Sequence, residues 1–502
     1  MVSNRIGIMV AGFSVALTGA WVPVHAAGGD MDQRIEMLQH ELDALKDELD
    51  RARAEREALK REQAQAQEQA KVAADTAAKQ AVEASKTWPE ASFGGQYRIN
   101  FYSADNQNNT VVGNKNNQTS QRVRIRQNVD LKFSEQFKTH LQMELQHTTD
   151  NVTTSDQRRG GNSTDISVRH AVMDYTFRPD NAFDGTNARL GIVPLSDHFH
   201  DTLFSSDWDY NPVAVQLKDL PGGPGRLRVF AANLEEGSES NVDDDFVHYQ
   251  LDYLVPFGEG TGVVLTGTAL NIADATGGND SWHYNYGIGG HMALGGDMRV
   301  NGFVVGSRTD EALLGGTDNA SGVALLAELT GSFGPGHFGI LASHATGEDD
   351  GTGFLMPMAF AQTFGYWGYT GILTVQGATD TGFDFDGVNI SNNGYGMTTV
   401  QAKYAFPIMP RLSGYLGAGW FGNTDAQNRD STVGYDSLAM GTYRFNKVFA
   451  LDLGVAYAKL KDSASGYFQG VQNPGGGGPA FNQDEGKDRN KVAFFGRIQA
   501  EF

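Results

Sequence analysis

The stretch Gln121 to Phe133, QRVRIRQNVDLKF, alternates two kinds of side chain with a period of two. Val123, Ile125, Val129, Leu131 and Phe133 share one face, broken only by Gln127, and Arg122, Arg124, Arg126, Asn128, Asp130 and Lys132 share the other. Successive side chains of a strand point to opposite faces, so this is a β-strand with an oily side and a charged side and has no helical reading. In a soluble sandwich the oily side would meet a protein core. In a transmembrane barrel it would meet lipid, with the charged side turned to a water-filled lumen.

The rest of the chain decides between the two. With 502 residues it is long enough for several ordinary domains or one large barrel. Cysteine is absent, which excludes disulfide frameworks and thiolate metal sites. A formal charge of -21 argues against nucleic acid as a partner, because so acidic a surface repels phosphate. Mean hydropathy is -0.38, and no long apolar run follows the first thirty or so residues, which excludes spanning by helices but not by strands.

The N-terminal stretch reads as an export signal over 1–26: Arg5 supplies a positive start, Ile6 to Leu17 is largely apolar, and Val24-His25-Ala26 resembles a small-x-small cleavage site. Residues 27–90 read as a periplasmic helix and linker. From Met31, Ile35, Leu38, Leu42, Leu45, Leu49, Ala52 and Leu59 recur at three-four spacing with Arg56 inside the seam, a heptad pattern that predicts a coiled coil. A helix from about Asp32 to Ser85 would extend roughly 80 Å and could trimerise the chain.

Residues 91–502 read as an antiparallel transmembrane β-barrel. Candidate strands fall near 93–103, 121–133, 137–147, 165–178, 187–194, 211–218, 225–233, 244–255, 261–272, 281–293, 298–307, 322–333, 337–345, 394–405, 411–421, 433–445, 448–460 and 490–502, many about the ten residues that cross a bilayer at a tilt. Short turns (134–136, 256–260, 334–336, 407–410, 446–447) alternate with long polar loops (104–120, 148–164, 195–210, 308–321, 346–393, 461–489), as in outer-membrane barrels. The pattern gives eighteen strands; Phe360 to Tyr366 and Thr370 to Gln376 could add a hairpin or lie in an inserted loop, which leaves sixteen and twenty open. Lumens of that size carry water unless loops fold inward.

The alternation places Arg98, Arg122, Arg124, Arg126, Lys138, His140, Arg189, Lys218, Arg226 and Arg228 on the inner face as channel-lining residues. A charge at mid-membrane on the lipid face would cost roughly 2–4 kcal/mol. Arginine's planar fork suits carboxylate and phosphate, so a ladder of such groups suits a passing anion. The opposing reading is that they brace the wall through Asp130, Glu144 and Asp174. Acidic loops at Glu235 to Asp245 and Gly347 to Gly351 read as solvated, with calcium or magnesium bridging to lipopolysaccharide a weaker reading. Asp197, His198, His200 and Asp201 form only a weak metal signal. Trp208, Tyr210, Tyr284, Tyr286, Trp367 and Trp420 read as girdle or loop aromatics. No catalytic motif is visible, so neither an enzyme nor a cofactor or resident metal is expected.

The last strand, Lys491 to Phe502, also alternates and stops on an aromatic, as outer-membrane barrels of Gram-negative bacteria do. Arg189-Leu190-Gly191 followed by Leu195, Asp207-Trp208-Asp209 before a strand, Phe360 to Tyr366, and Tyr443-Arg444-Phe445-Asn446-Lys447 carry a resemblance over about 92–502 to bacterial outer-membrane porins, in particular the alginate-export-like family. That resemblance implies an arginine-lined passage for an acidic polysaccharide at Arg122, Arg124, Arg126 and Arg189. The coiled coil looks more like the phosphate-selective porin group. The expectation is an anion-preferring diffusion porin in the outer membrane, its partners lipid, lipopolysaccharide and small anionic solutes; an exporter of an anionic polymer and a barrel-anchored tethering protein are the alternatives.

Overall fold

The computed structural model describes residues 30–84, 89–104, 118–150, 163–178, 183, 185–199, 201–206, 210–235, 245–273, 280–310, 319–348, 352–357, 367–374, 390–391, 394, 396–424, 431–461 and 489–502. The expected signal segment, Asp207-Trp208-Asp209 and Phe360 to Tyr366 lie outside them. The chain divides into two compact units, Met1–Thr87 and Trp88–Phe502.

In the first unit, α1 runs Asp30–Ala84. The absence of glycine and proline lets it run for 55 residues. Lys46–Asp43, Arg53–Asp50 and Arg61–Glu57 pair along its surface, each worth a few tenths of a kcal/mol. Leu42, Leu49 and Leu59 of the expected seam are exposed along the single helix.

The second unit is a closed antiparallel sheet of eighteen strands. In chain order these are β1 (Glu90–Ala104), β2 (Gln118–Lys132), β3 (Phe137–Asp150), β4 (Ser163–Thr176), β5 (Asn187–Ile192), β6 (Val213–Gly222), β7 (Gly225–Glu235), β8 (Phe246–Gly258) and β9 (Thr261–Ile272), then β10 (Ser281–Gly295), β11 (Met298–Thr309), β12 (Ala320–Phe333), β13 (Gly336–Ala345), β14 (Met397–Met409), β15 (Leu412–Asn423), β16 (Thr432–Arg444), β17 (Phe449–Leu460) and β18 (Arg489–Glu501). Each pairs with its sequence neighbours, and β1 pairs with both β2 and β18, which closes the cylinder. At the seam Gly95 and Phe502 exchange both backbone hydrogen bonds, and the Phe502 ring stacks on Tyr97 with centroids 5.6 Å apart. Among the described strands no sheet edge is left unpaired. The counts of sixteen and twenty are thereby excluded: Trp367 to Thr374 forms no strand and packs as an inserted loop.

The faces separate as the alternation requires. In β1, Tyr97, Ile99 and Phe101 are 44%, 45% and 39% exposed, whereas Arg98, Asn100 and Tyr102 are 7%, 2% and 6% exposed. Polar groups are inside and apolar groups outside, the inverse of a soluble core. Short connections at 133–136, 223–224, 259–260, 296–297, 334–335, 410–411 and 445–448 lie at one end together with the ten-residue connection 177–186, and the remaining connections lie at the other. Two turns are tighter than the sequence suggests. Strand β8 continues through Pro256 to a turn at 259–260, and Pro407 sits at a register shift inside β14, where an edge-like irregularity tolerates its missing donor.

Candidate permeation pathway

The interior is not uniformly polar. Two long connections fold inward and bring an apolar core with them, the case in which a lumen of this size is not open throughout. The first follows β5. Asp197 accepts from the backbone N–H groups of Phe199, Leu203 and Phe204, curling the segment into a compact turn. Phe204 packs on Phe230 of β7 and His248 of β8, and Phe199 on Phe303 of β11 at 5.0 Å. Tyr210 Oη donates to His248 Nδ1 at 2.5 Å, and His248 in turn bonds Thr268. Gly289 of β10 is required beneath this segment, because a Cβ there would overlap the Phe199 ring. Asp197 is therefore a structural clasp, His198 lies 3.7 Å from Asp252, and His200 is outside the described residues.

The second inward segment lies between β13 and β14. Leu355 O accepts from Asn285 and Leu355 N donates to Ser307 Oγ, seating Phe354, Leu355 and Met356 on β10 and β11. Further on, Ile372 N and Leu373 N donate to the buried Asp436 carboxylate of β16, and Tyr369 N donates to Gln401 of β14. The Tyr369 hydroxyl bonds Glu328, the Lys403 ammonium lies 4.1 Å from the Tyr369 ring centre, and Tyr415 Oη donates to Tyr369 O. Tyr210 and Trp367 are thus loop aromatics that anchor inward, whereas Tyr284 and Tyr286 of β10 face outward. Gly417 leaves room for the Tyr369 carbonyl, which a methyl group there would overlap. Substituting Gly417→Ala is expected to unseat this segment and raise single-channel conductance in a planar bilayer; unchanged conductance would mean the segment does not narrow the path.

Hydrogen bonds from these two segments end on β4, β7, β8, β10, β11, β12, β14, β15 and β16, with ring contacts adding neighbours on the same arc. Strands β18, β1 and β2, which carry Arg497, Arg98, Arg122, Arg124 and Arg126, lie outside that arc. There Arg98 stands directly opposite Arg124, Asn100 opposite both Arg122 and Arg497, and Gln96 opposite Arg126. Arg98 Nε donates to Gln499, Arg122 Nη2 to Gln146 and Arg124 Nη2 to Gln96, at 2.7–2.8 Å. Like charges placed directly across a ladder destabilise it by a fraction of a kcal/mol.

Acids meet several cations of the wall directly. Arg126 bonds Glu144 at 2.5 Å, Arg189 lies 3.6 Å from Asp174, and Arg497 bonds Asp452 at 2.7 Å. Arg228 Nε donates to Asp252 at 2.6 Å, Nη2 lies 2.6 Å from the same carboxylate oxygen as an ion pair, and Nη1 donates to Ser196 O of the inward segment. Arg228→Ala would leave a fully buried Asp252 without its cation and is expected to cost about 3–5 kcal/mol, read as a lower urea midpoint of the folded barrel. His140 bonds Asp130 at 2.6 Å. Lys218 faces inward beside Asn187, while Lys138 and Arg226 sit next to short turns with exposed side chains, Arg226 donating to the Asp219 carbonyl. They belong to the rim.

Arg169 was not legible in the alternation. A register shift at Gln142/Met143 flips the phase of β4, so Ile166 and Val168 face outward before it and Met173 and Tyr175 after it. The bulge turns Arg169 inward, where it lies 3.7 Å from Glu144 and donates to Gln142 and to Ser206 O.

No protein-family model matches the sequence, and no curated protein matches it. Solved structures do. The barrel is similar to that of Pseudomonas aeruginosa OccK5 (OpdH), with a TM-score of 0.50 at 11% identity over 82% of this chain and 98% of that one. Pseudomonas aeruginosa OccK9 (OpdG) gives 0.48 at 12% identity over 82% and 99%, and OpdK from the same organism, solved with vanillate, 0.47 at 11% over 82% and 99%. At this identity the likeness is one of fold: a closed eighteen-stranded barrel of the outer-membrane porin type.

Proposed function

We propose that the chain is an outer-membrane porin whose barrel provides a water-filled path for passive diffusion of small hydrophilic, anionic solutes. Residues 1–26 act as the export signal, the short turns face the periplasm, and the long connections face outward. The observation that carries the reading is the opposition of Arg98 and Arg124 on adjoining strands, flanked by Arg122 and Arg126. Such an arrangement costs sheet stability, and attraction of an anion to the lumen face is the gain that offsets it. The outer face, with its exposed tyrosines, leucines and phenylalanines, suits lipid and lipopolysaccharide. The bare leucine seam of α1 suits self-association in the periplasm, with a homotrimer as the assembly. The finer likeness to alginate-export-like or phosphate-selective porins rests on the motifs alone.

Swelling of proteoliposomes tests the reading. A small monocarboxylate is expected to enter faster than its amide of equal size; equal rates would remove the anion preference. The inward packing of residues 193–199, 201–206, 352–357 and 367–374 favours a second reading, a filled barrel that serves as an envelope anchor, and absence of swelling with every solute would support it.

A further inference from the structure

Near the short-turn end of the inner wall, His140 of β3 and His170 of β4 bring two imidazoles together. Their rings lie 5.5 Å apart between centroids at 38°, and His140 Nε2 is 3.3 Å from His170 Nδ1. The other nitrogen of His140 bonds the Asp130 carboxylate at 2.6 Å, which fixes its proton on Nδ1 and turns the Nε2 lone pair towards His170. If His170 answers with an Nδ1 proton, its buried Nε2 is left as a bare acceptor, and it has no partner there. The side chain beside that ring is Asn211. Its Nδ2 donates to Ser206 O at 3.4 Å, and its buried Oδ1 is also without a partner. Two acceptors are thus stranded next to one another.

One change resolves both. With His170 in its Nε2–H tautomer, that proton is available to Asn211 Oδ1, and the two lone pairs of His140 and His170 then face each other across 3.3 Å. Lone pairs so placed need a cation between them. A tetrahedral ion with bonds of about 2.0–2.1 Å to nitrogen sets neighbouring ligands about 3.3 Å apart. The carboxylate behind His140 is the usual outer support of a metal-bound imidazole.

We propose that His140 and His170 form a two-imidazole site for a divalent transition-metal ion such as Zn²⁺ or Cu²⁺, oriented by Asp130 and Asn211. Among the described residues no group of three metal-binding side chains occurs, so water or solute completes the coordination. Borderline ions that favour imidazole fit; hard oxygen-seeking ions such as calcium do not. The nearby cations are Arg126 and Arg169, both directed to Glu144, at 2.5 and 3.7 Å.

The test uses the folded full-length chain in detergent. Zn²⁺ titrated by calorimetry is expected to show one site that the double variant His140→Gln/His170→Gln lacks, and Cu²⁺ bound there is expected to show two nitrogen couplings by electron paramagnetic resonance. Asp130→Asn should weaken binding roughly tenfold, as removal of an outer-shell partner does. Asn211→Leu should weaken it severalfold, and these two variants carry the test if loss of an imidazole prevents folding. Equal metal uptake by wild type and the double variant would overturn the proposal, leaving a proton as what the imidazoles share; so would full affinity in both Asp130→Asn and Asn211→Leu.

Discussion

Replacing Arg98, Arg122 and Arg124 together by glutamine is expected to lower the anion-to-cation permeability ratio by roughly tenfold, equivalent to about 1.4 kcal/mol. A unit charge acts on a permeant ion 10 Å away in water with roughly 0.4 kcal/mol, so three such charges supply most of that difference. These three are chosen because their guanidinium groups donate to the amide oxygens of Gln499, Gln146 and Gln96, and a glutamine can keep an amide hydrogen bond in place. Arg126 and Arg169 are left alone, since removing either would strip charge from Glu144 and confuse selectivity with stability. The shift should shrink at high salt, where the Debye length falls from about 10 Å at 0.1 M to about 3 Å at 1 M. An unchanged ratio would mean the path does not run along β1 and β2.

Excising the inward segment between β13 and β14, by joining Glu348 to Gly396 through a short glycine-serine turn, is expected to raise single-channel conductance severalfold and to weaken anion preference. The barrel should survive, because β13 and β14 pair directly and that ladder does not pass through the segment. What the excision removes is the lining built from Phe354, Leu355, Met356, Tyr369, Ile372 and Leu373. What it uncovers is acidic: Glu328 loses the Tyr369 hydroxyl, and Asp436 loses the two backbone donors that hold its carboxylate. Two new carboxylates facing water oppose anions, which is why conductance and selectivity should move in opposite directions. Higher conductance with undiminished anion preference would place the path away from β12 and β16.

The strands were legible because each needs only a local rule. Where one face meets lipid and the other water, period-two alternation is enforced residue by residue, as in β1, β2 and β18. The rule fails where the ladder is irregular. The bulge in β4 inverts the phase and hides Arg169, and another between Leu217 and Leu220 of β6, with Asp219 at φ 59, masks the continuation of that strand to Gly222. The inward segments were hidden for a different reason. Their docking depends on inward glycines such as Gly289 and Gly417, on a buried carboxylate at Asp436 and on inward phenylalanines at 230 and 303. Each is an ordinary residue until its distant partner is known. Parity places the cations of the regular strands on one face; Arg169, on the bulge of β4, escapes it. The pairing of these cations is not visible from parity: whether an arginine meets an amide, as Arg98 does, or a carboxylate, as Arg228 does, depends on the residue opposite, and so on register.

The central claim is that a closed cylinder carries solute past an inner wall whose cations outweigh its acids where the path runs. The zero-current potential of the wild-type chain in a planar bilayer under a KCl gradient tests it most directly. The account predicts discrete channels whose zero-current potential lies towards the chloride equilibrium value. A potential on the potassium side, or a correctly folded barrel that passes no current, would contradict it.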